Sequence, residues 1–388
     1  MIPVRYNIRS LAVRKTTTFA TAFGIALVVF VLASALMLSA GVKKTLAISG
    51  APDVAIVLRN GSDAELSSTI DVADVNRIVG APGVKRDEKG KPIGVGEIIV
   101  VGAMEKLGTD GITNVQIRGV TDEAMAFRPE VKIVAGRAPK PGTDEVMVGE
   151  RIRGRFKGVD LGQSFDLRKN RPANVVGIFS ANGSSYESEV WADVDALRAA
   201  FAREGIVSSV RVKLESPETY DAFRAAMEGD KRFGYQVMKE RDYFEKQSEG
   251  TSIFIGAMGT IVAVFFALGA MIGAMITMYA AVANRQREIG TLRALGFTRG
   301  SILVSFLVES IALALLGGVV GAAASCAMGL VHFSMMNFAS WSEIVFKFEP
   351  TPGILLVALG FAGGMGVIGG FFPALAAARV SPTAAMRA

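Results

Sequence analysis

Residues 283–297 read Ala-Asn-Arg-Gln-Arg-Glu-Ile-Gly-Thr-Leu-Arg-Ala-Leu-Gly-Phe, and here residue type and spacing come nearest to a recognisable chemistry. Wound as a helix, Ile289, Leu292 and Leu295 form a narrow apolar stripe beside Arg285, Arg287, Glu288 and Arg293, and Gly296 stands where it would end the turn. Such a surface suits docking into a groove on another protein. A helix resting on acidic lipid would account for the arginines but not for Glu288 or the glycine. Chemistry at a reacting centre is harder to assemble. His332 is the only histidine and Cys326 the only cysteine, so no His/Cys metal cluster and no disulfide within the chain is expected. Ser184 and Ser185 follow Asn182-Gly183, which is turn composition, and no G-x-x-x-x-G-K-[ST] phosphate loop occurs. The expectation is a chain with no catalytic residue, cofactor or metal of its own.

The elements that must position this run are set by four stretches without Asp, Glu, Lys or Arg, at 16–42, 253–283, 310–342 and 351–378. Each has room for the roughly 20 apolar residues of a membrane span. A cleavable signal peptide is the alternative for the first, since Ser39-Ala40-Gly41 resembles a cleavage site. Its apolar core at 19–38 is longer than the ~7–15 residues of a signal core, so the helix is expected to be retained. Arg5, Arg9, Arg14 and Lys15 precede the first span; Arg285, Arg287, Arg293 and Arg299 separate the second and third; Arg379 and Arg387 follow the fourth. Only Lys347 lies between the third and fourth. This bias puts both termini and the arginine run in the cytoplasm and residues 45–250 outside it, with Lys43 and Lys44 dissenting. The net charge of +6 and pI near 9.4 then reflect cytoplasmic flanks, and nucleic acid is not an expected partner.

Division of the chain follows. Residues 1–15 form an amphipathic interfacial helix, 16–44 the first span, 45–250 an α+β domain in two lobes sharing the segment 136–142, and 251–283 the second span. Residues 284–300 are the docking segment, 301–331 and 351–378 the last two spans, 332–350 an outer loop and 379–388 a tail. Within the domain, Val54, Ile56 and Leu58 alternate up to an Asn60-Gly61 turn, and Val115, Ile117 and Gly119 alternate before Thr121-Asp122, so both read as strands. Val72, Val75 and Ile78 keep helical spacing up to Gly80. Further strands are expected at 145–148, 174–179 and 211–214, a helix around Val194, Leu197 and Phe201, and another capped by Ser216-Pro217. The run 179–186 reads as an exposed loop. The second span is uncharged over about 31 residues, ~46 Å of helix, more than the hydrocarbon requires. Glycine pairs at Gly269 and Gly273, Gly317 and Gly321, and Gly360 and Gly364 have the spacing of close helix packing. Glu309 is the one charge well inside a span, and is read either as a latch to another helix or as a carboxylate near the interface paired with an arginine. The cytoplasmic segments are too short to hold a nucleotide-binding domain.

The run Arg-Glu-Ile-Gly-Thr-Leu-Arg-Ala-Leu-Gly-Phe-Thr-Arg at 287–299, followed by a span with Glu309 and Gly317-Gly318, resembles the FtsX-type domain of MacB-like ABC transporter permeases. Arg-Lys-Thr-Thr-Thr before the first span and Ala378-Arg379-Val380-Ser381-Pro382 are similar to that family. So are Gly136-Arg137, Asp144-Glu145-Val146-Met147-Val148-Gly149 and Val176-Gly177-Ile178-Phe179 in the domain. The order of one span, a large outer domain and three spans also agrees. The resemblance implies an α-helical membrane protein with four transmembrane helices in a bacterial inner membrane, its MacB-like α+β periplasmic domain inserted between the first two. It implies a permease dimer, with a second copy or a related permease, energised by two copies of a separate cytoplasmic ATPase that uses Mg-ATP. The segment holding Arg285, Arg287, Glu288, Ile289, Leu292, Arg293, Leu295 and Gly296 corresponds to the family's coupling helix. Movement of the outer domain would extrude or extract an amphiphile such as a lipid, lipoprotein, peptide or hydrophobic toxin, with membrane lipids and a periplasmic adaptor as partners. The alternative is a signalling permease that controls a periplasmic hydrolase or sensor and moves no substrate.

Overall fold

The computed structural model describes residues 15–230 and 233–381. The amphipathic helix expected at the N-terminus falls, for residues 1–14, outside the described residues, as do residues 382–388 of the tail. The chain divides into two compact units. One comprises residues up to 40 with 253–331 and 347–388; the other comprises 41–252 and 332–346.

In chain order the elements are α1 (Lys15–Ser49), β1 (Val54–Arg59), β2 (Ile70–Asp71), α2 (Val72–Val79), β3 (Gly94–Glu105) and β4 (Ile112–Val120). They continue with α3 (Ala124–Phe127), β5 (Lys132–Gly136), β6 (Glu145–Gly149), β7 (Ser164–Arg168), β8 (Arg171–Ser180), β9 (Glu189–Asp193) and α4 (Val194–Phe201). Next come β10 (Ile206–Val207), β11 (Ser209–Lys213), α5 (Thr219–Glu228), β12 (Tyr235–Lys239), α6 (Glu240–Asn284), α7 (Gln286–Ala294) and α8 (Arg299–Ala327). A hairpin of β13 (His332–Asn337) and β14 (Ser342–Lys347) and then α9 (Pro352–Arg379) complete the described chain.

Among the described residues, four helices are long and apolar enough to cross a membrane: α1, α6, α8 and α9. Where chain direction changes, side-chain caps set the starts. Thr298 Oγ1 accepts from the Ser301 amide at the head of α8, and Thr351 Oγ1 from the Ile354 amide at the head of α9, with Pro352 in the first turn. Small residues let the helices approach. A Cβ on Gly317 would collide with the Ala22 carbonyl oxygen, and one on Gly321 with that of Ala26, so α8 lies backbone to backbone against α1. Likewise, Cβ atoms on Gly318 and Gly366 would come within 2.7 Å of Ala362 and 2.8 Å of Ala314, where α8 meets α9. Ile25, Val29, Ala33, Met37, Ala314 and Ala362 fill the centre. The other two glycine pairs read from the sequence behave differently. Gly269, Gly273, Gly360 and Gly364 would each accept a Cβ with nothing within 4 Å, so they lie on outer faces. Spacing of i and i+4 makes a flat face on a helix but does not say what covers it.

The α+β unit is organised around a ten-stranded sheet in the order β12-β1-β11-β3-β4-β9-β6-β8-β5, with β7 paired to β8. Alternation places Ile98 and Val100 of β3, Val115 and Ile117 of β4, Val210 and Val212 of β11, and Val190 and Ala192 of β9 out of phase with the polar residues between them. Two apolar cores result. One gathers Val57, Ile78, Val210, Val212, Phe223 and Val237; the other gathers Ile98, Ile117, Val148, Val175, Ile178 and Leu197. Both halves share β3, whose residues 94–97 pair with β11 and 98–105 with β4. The segment 136–142, expected to be the shared one, is instead the end of β5 and the loop after it. A further shift concerns α5, which begins at Thr219, after the turn made by Ser216 and Pro217.

Two other expectations are corrected. The run 179–186 is largely buried, with Phe179, Ala181 and Tyr186 at most 1% exposed and only Asn182 fully exposed. The Glu187 carboxylate folds them inward by accepting from the amides of Ala181 (2.7 Å) and Gly183 (2.9 Å) and from the Ser180 hydroxyl (2.8 Å). The link between the last two spans, read as a loop, contains the β13–β14 hairpin of the α+β unit. Val345 sits in the second core, its amide donates to Ser188 Oγ (3.0 Å), and its carbonyl accepts from Arg151 (2.8 Å).

Substituting Gly321 by Val should lower the thermal midpoint of the detergent-solubilised chain, corresponding to about 1–3 kcal/mol of overpacking. Gly273→Ala should leave it unchanged. Fluorescence-detected size exclusion after heating compares the two.

Candidate coupling segment and a buried ionic joint

Asn284 ends α6, and the turn at Arg285 redirects the chain into α7. Gly296, at φ +94°, closes it, its amide donating to the Arg293 carbonyl. The predicted docking residues separate into two groups. Arg285 is only 6% exposed and turns inward, its Nη1 donating to Glu309 Oε2 at 3.1 Å and its Nε to Glu288 Oε2 at 3.0 Å. The guanidinium carbon also lies 5.2 Å from the centre of the Phe306 ring. Glu309 is 4% exposed, so this is a buried pair linking the start of α7 to α8. Ile289 is also buried, packed with Met278, Val282, Ile302, Phe306 and Ala374. The apolar stripe is therefore shorter outside than the sequence implied, because its first member is used by the unit's own core. Arg287, Glu288 and Leu295 are exposed, Leu295 at 72%, while Leu292 and Arg293 are half-buried.

The α+β unit holds a second arrangement that sequence reasoning missed. On the face of the sheet opposite the core residues Ile98, Ile117 and Val210, alternation places Glu97 of β3, Arg118 of β4, Glu189 of β9 and Arg211 of β11. Glu65 from the turn after β1, Arg128 after α3 and Glu240 at the start of α6 join them. Arg118 grips Glu189 with two bonds, Nε at 2.7 Å and Nη2 at 2.8 Å, and reaches Glu97 (2.9 Å) and Glu65 (3.1 Å) through Nη1. Arg128 is bidentate on Glu97, at 2.6 and 3.0 Å. Arg211 Nη1 donates to Glu65 (2.7 Å) and Glu97 (2.8 Å), and its Nε donates to Glu240 Oε1 (2.7 Å). Glu97, Arg118 and Arg211 are 0% exposed. Trp191, Tyr186, Tyr243 and Phe244 close over the cluster, and the Trp191 indole donates to Glu189 (2.9 Å).

Electrostatics follow from this geometry. Burial by itself would raise the Glu97 carboxyl, but Arg128, Arg211 and Arg118 more than reverse it, to about 2. Glu65, equally buried, is driven far below the usual carboxylate range by Arg118 and Arg211. Burial and the Glu240 carboxylate push the Tyr186 phenol well above its ordinary value.

Glu240 ties the cluster to the ends of two helices. Besides Arg211 and the Tyr186 hydroxyl (3.2 Å), it accepts the Ala51 amide on Oε2 at 3.0 Å, so the end of α1 and the start of α6 meet on one carboxylate. Gly50 permits this, since a Cβ there would come within 2.5 Å of Arg241 Cα, and Ser49 Oγ hydrogen-bonds Ser185 (2.8 Å) alongside. The available sign in the sequence was a charge between apolar strand residues, as in Val210-Arg211-Val212 and Ile117-Arg118-Gly119. It reads as a solvated strand face until the covering elements are known. Among the described residues, no group of three or more His, Cys, Asp or Glu is placed to hold a metal ion.

A helix bundle following a large inserted α+β domain, with a short charged helix between its second and third spans, defines a class of membrane permease. Residues 17–230 match the MacB-like periplasmic core domain, and residues 260–382 match the FtsX-like permease C-terminal domain. The chain belongs to the MacB- and FtsX-type ABC transporter permeases. It is 26% identical over 353 residues to the uncharacterized ABC transporter permease YknZ of Bacillus subtilis strain 168, covering 85% of this chain and 82% of YknZ. To the macrolide export ATP-binding/permease protein MacB of Neisseria gonorrhoeae it is 27% identical over 257 residues, 64% of this chain but 39% of MacB. The chain thus spans well under half the length of that relative. Among solved structures, the extracellular domain of YknZ aligns at a TM-score of 0.36 with 19% identity, covering 48% of this chain and 99% of that domain. The periplasmic region of MacB from Actinobacillus actinomycetemcomitans aligns at 0.37 with 12% identity, covering 49% and 90%.

A depressed carboxyl stabilises the fold above its unfolded value and loses that contribution as pH falls toward its folded value. Stability should therefore hold from pH 7 to about 5, then fall between about 4.3 and 2 as Glu97 protonates. Glu97→Gln, which leaves Arg128 and Arg118 short of a charge, should cost about 3–5 kcal/mol at pH 7 and flatten that acid limb. Denaturant unfolding followed by tryptophan fluorescence across pH checks both.

Proposed function

We propose that the chain is the permease subunit through which a separate cytoplasmic ATPase, working as two copies on a permease dimer, drives movement of the α+β domain outside the cytoplasm. The carrying observation is α6, one helix of 45 residues. It begins at a carboxylate locked into the domain's ionic cluster and ends at the buried Arg285 that starts the exposed α7. A displacement of α7 by a partner would be passed to α6 through the Arg285–Glu309 pair and Ile289, and would enter the sheet at Glu240 and Arg211. The arginine bias of the flanks supports the orientation, with α7 inside and the domain outside. Arg287, Glu288, Leu292, Arg293 and Leu295 are the residues offered to the ATPase; Arg285 and Ile289 hold the helix that presents them. Mg-ATP binds in the partner. The cargo is an amphiphile drawn from the membrane or the space outside it, a reading supported by the macrolide export function for which the relative MacB is named.

Affinity purification of the tagged full-length chain from native membranes, with mass spectrometry and an ATPase assay on the eluate, tests this. Stoichiometric recovery of an ATPase is expected; its absence from a folded preparation would remove the reading. Recovery of a wall hydrolase or sensor in place of a cargo-handling partner would replace export by signalling. Leu295→Asp, and more weakly Leu292→Asp, should abolish ATPase recovery while the chain stays folded, whereas Ile289→Asp should lose the folded chain itself.

The joint at Glu240 makes a separate demand. Glu240→Gln should retain ATPase recovery but weaken the grip on Ala51 and Arg211, speeding amide exchange around residues 49–51 and 240–244. Unchanged exchange there would deny it the transmitting role.

A further inference from the structure

We propose that the groove between the C-terminal ends of α6 and α9 binds an acidic glycerophospholipid, its phosphate on Arg379 and Tyr279 and one acyl chain along the apolar walls. The two helices run in the same direction here. Gly369 of α9 lies against Met271 and Ala274 of α6, and one helical turn or more further on Ala374 and Ala377 pack with Met278 and Val282. Their C-terminal ends therefore finish on the same side and leave between them a cleft of about 480 Å³, lined by Tyr279, Phe372, Leu375, Ala376, Arg379 and Val380. Hydrocarbon is required by the walls, where Phe372 is 55% exposed and Ala376 is short enough to leave depth. The mouth suits an anion, since neither the Arg379 guanidinium nor the Tyr279 hydroxyl has a hydrogen-bond or ion-pair partner among the described residues.

A guanidinium presents paired donors that match phosphate, and a phenol adds one more at the level where aromatic residues meet headgroups. A free phosphate would leave the apolar walls without a partner, and a zwitterionic lipid would offer Arg379 no net charge. An acidic lipid satisfies both. Arginine at the end of a span can also simply extend to the interface, and such an arginine would show no dependence on the neighbouring groove.

The test is native mass spectrometry of the full chain released from micelles with equal amounts of phosphatidylglycerol and phosphatidylcholine. Wild type should retain phosphatidylglycerol in preference. Arg379→Gln should reduce that retention about fivefold, in line with the attraction of one basic residue for an acidic surface, and Tyr279→Phe should reduce it less. Arg379→Lys should keep most of the preference, and Arg299→Gln, at the exposed start of α8, all of it. Equal retention of the two lipids by wild type would overturn the site. So would a loss in Arg299→Gln as large as in Arg379→Gln, which would mean a general basic surface. A collapse in Arg379→Lys to the level of Arg379→Gln would mean the charge is not what holds the lipid. Lipid retention is read without any ATPase, so its failure leaves the coupling reading untouched.

Discussion

Seven charged side chains on one face of a sheet, nearly all out of reach of water, govern how the α+β unit can be built. Isolated buried charges cost several kcal/mol each, and their attraction offsets this only when every carboxylate faces a guanidinium in good geometry. Glu97 receives three arginines, Arg118 spans three glutamates, and Arg211 joins Glu65 and Glu97 to Glu240. These partners come from four strands, two turns and a helix start. A slip of one residue in β4 or β11 would send Arg118 or Arg211 into the apolar cores. The cluster thus fixes strand register as much as it binds the layers together, and it explains why Trp191, Tyr186 and Tyr243 close over that face.

The same device recurs in the helical unit. Arg285 and Glu309 are a single buried pair where the larger cluster has seven members, yet both sit at an end of α6. Between those ends the stretch 253–283 carries no Asp, Glu, Lys or Arg, and in the same unit α1, α8 and α9 are joined to one another by small residues and apolar packing. Lipid tails are as apolar as leucine, so close backbone approach at Gly317, Gly321, Gly318 and Gly366 supplies the contact that hydrophobic burial cannot. A helix held by charge at both ends is suited to carry displacement along its axis. That property is what the coupling proposal uses.

Buried chemistry also sorts the residues of the arginine run. Side chains that first read as one docking surface are divided between a framework of Arg285 and Ile289 and a presented face of Arg287, Glu288 and Leu295. The division has a physical reason: a nine-residue helix is too short to be stable alone and must bury one side to exist.

Composition and period were enough to determine the spans, the inserted domain and many of its strands and helices, because length without charge and alternation of two or 3.6 are properties of neighbouring residues. The short charged helix after the second span was legible for the same reason, whereas the partner of Glu309 stayed open between another helix and an arginine. The fate of faces was not legible. Whether Gly269 and Gly360 meet a helix, whether 179–186 is exposed, whether the link at 332–347 joins the sheet domain, and whether Arg118 and Glu97 face water or each other all depend on what arrives from distant sequence. Period says which side chains share a face; only the tertiary structure decides what covers it, and the energy of a buried charge turns entirely on that cover.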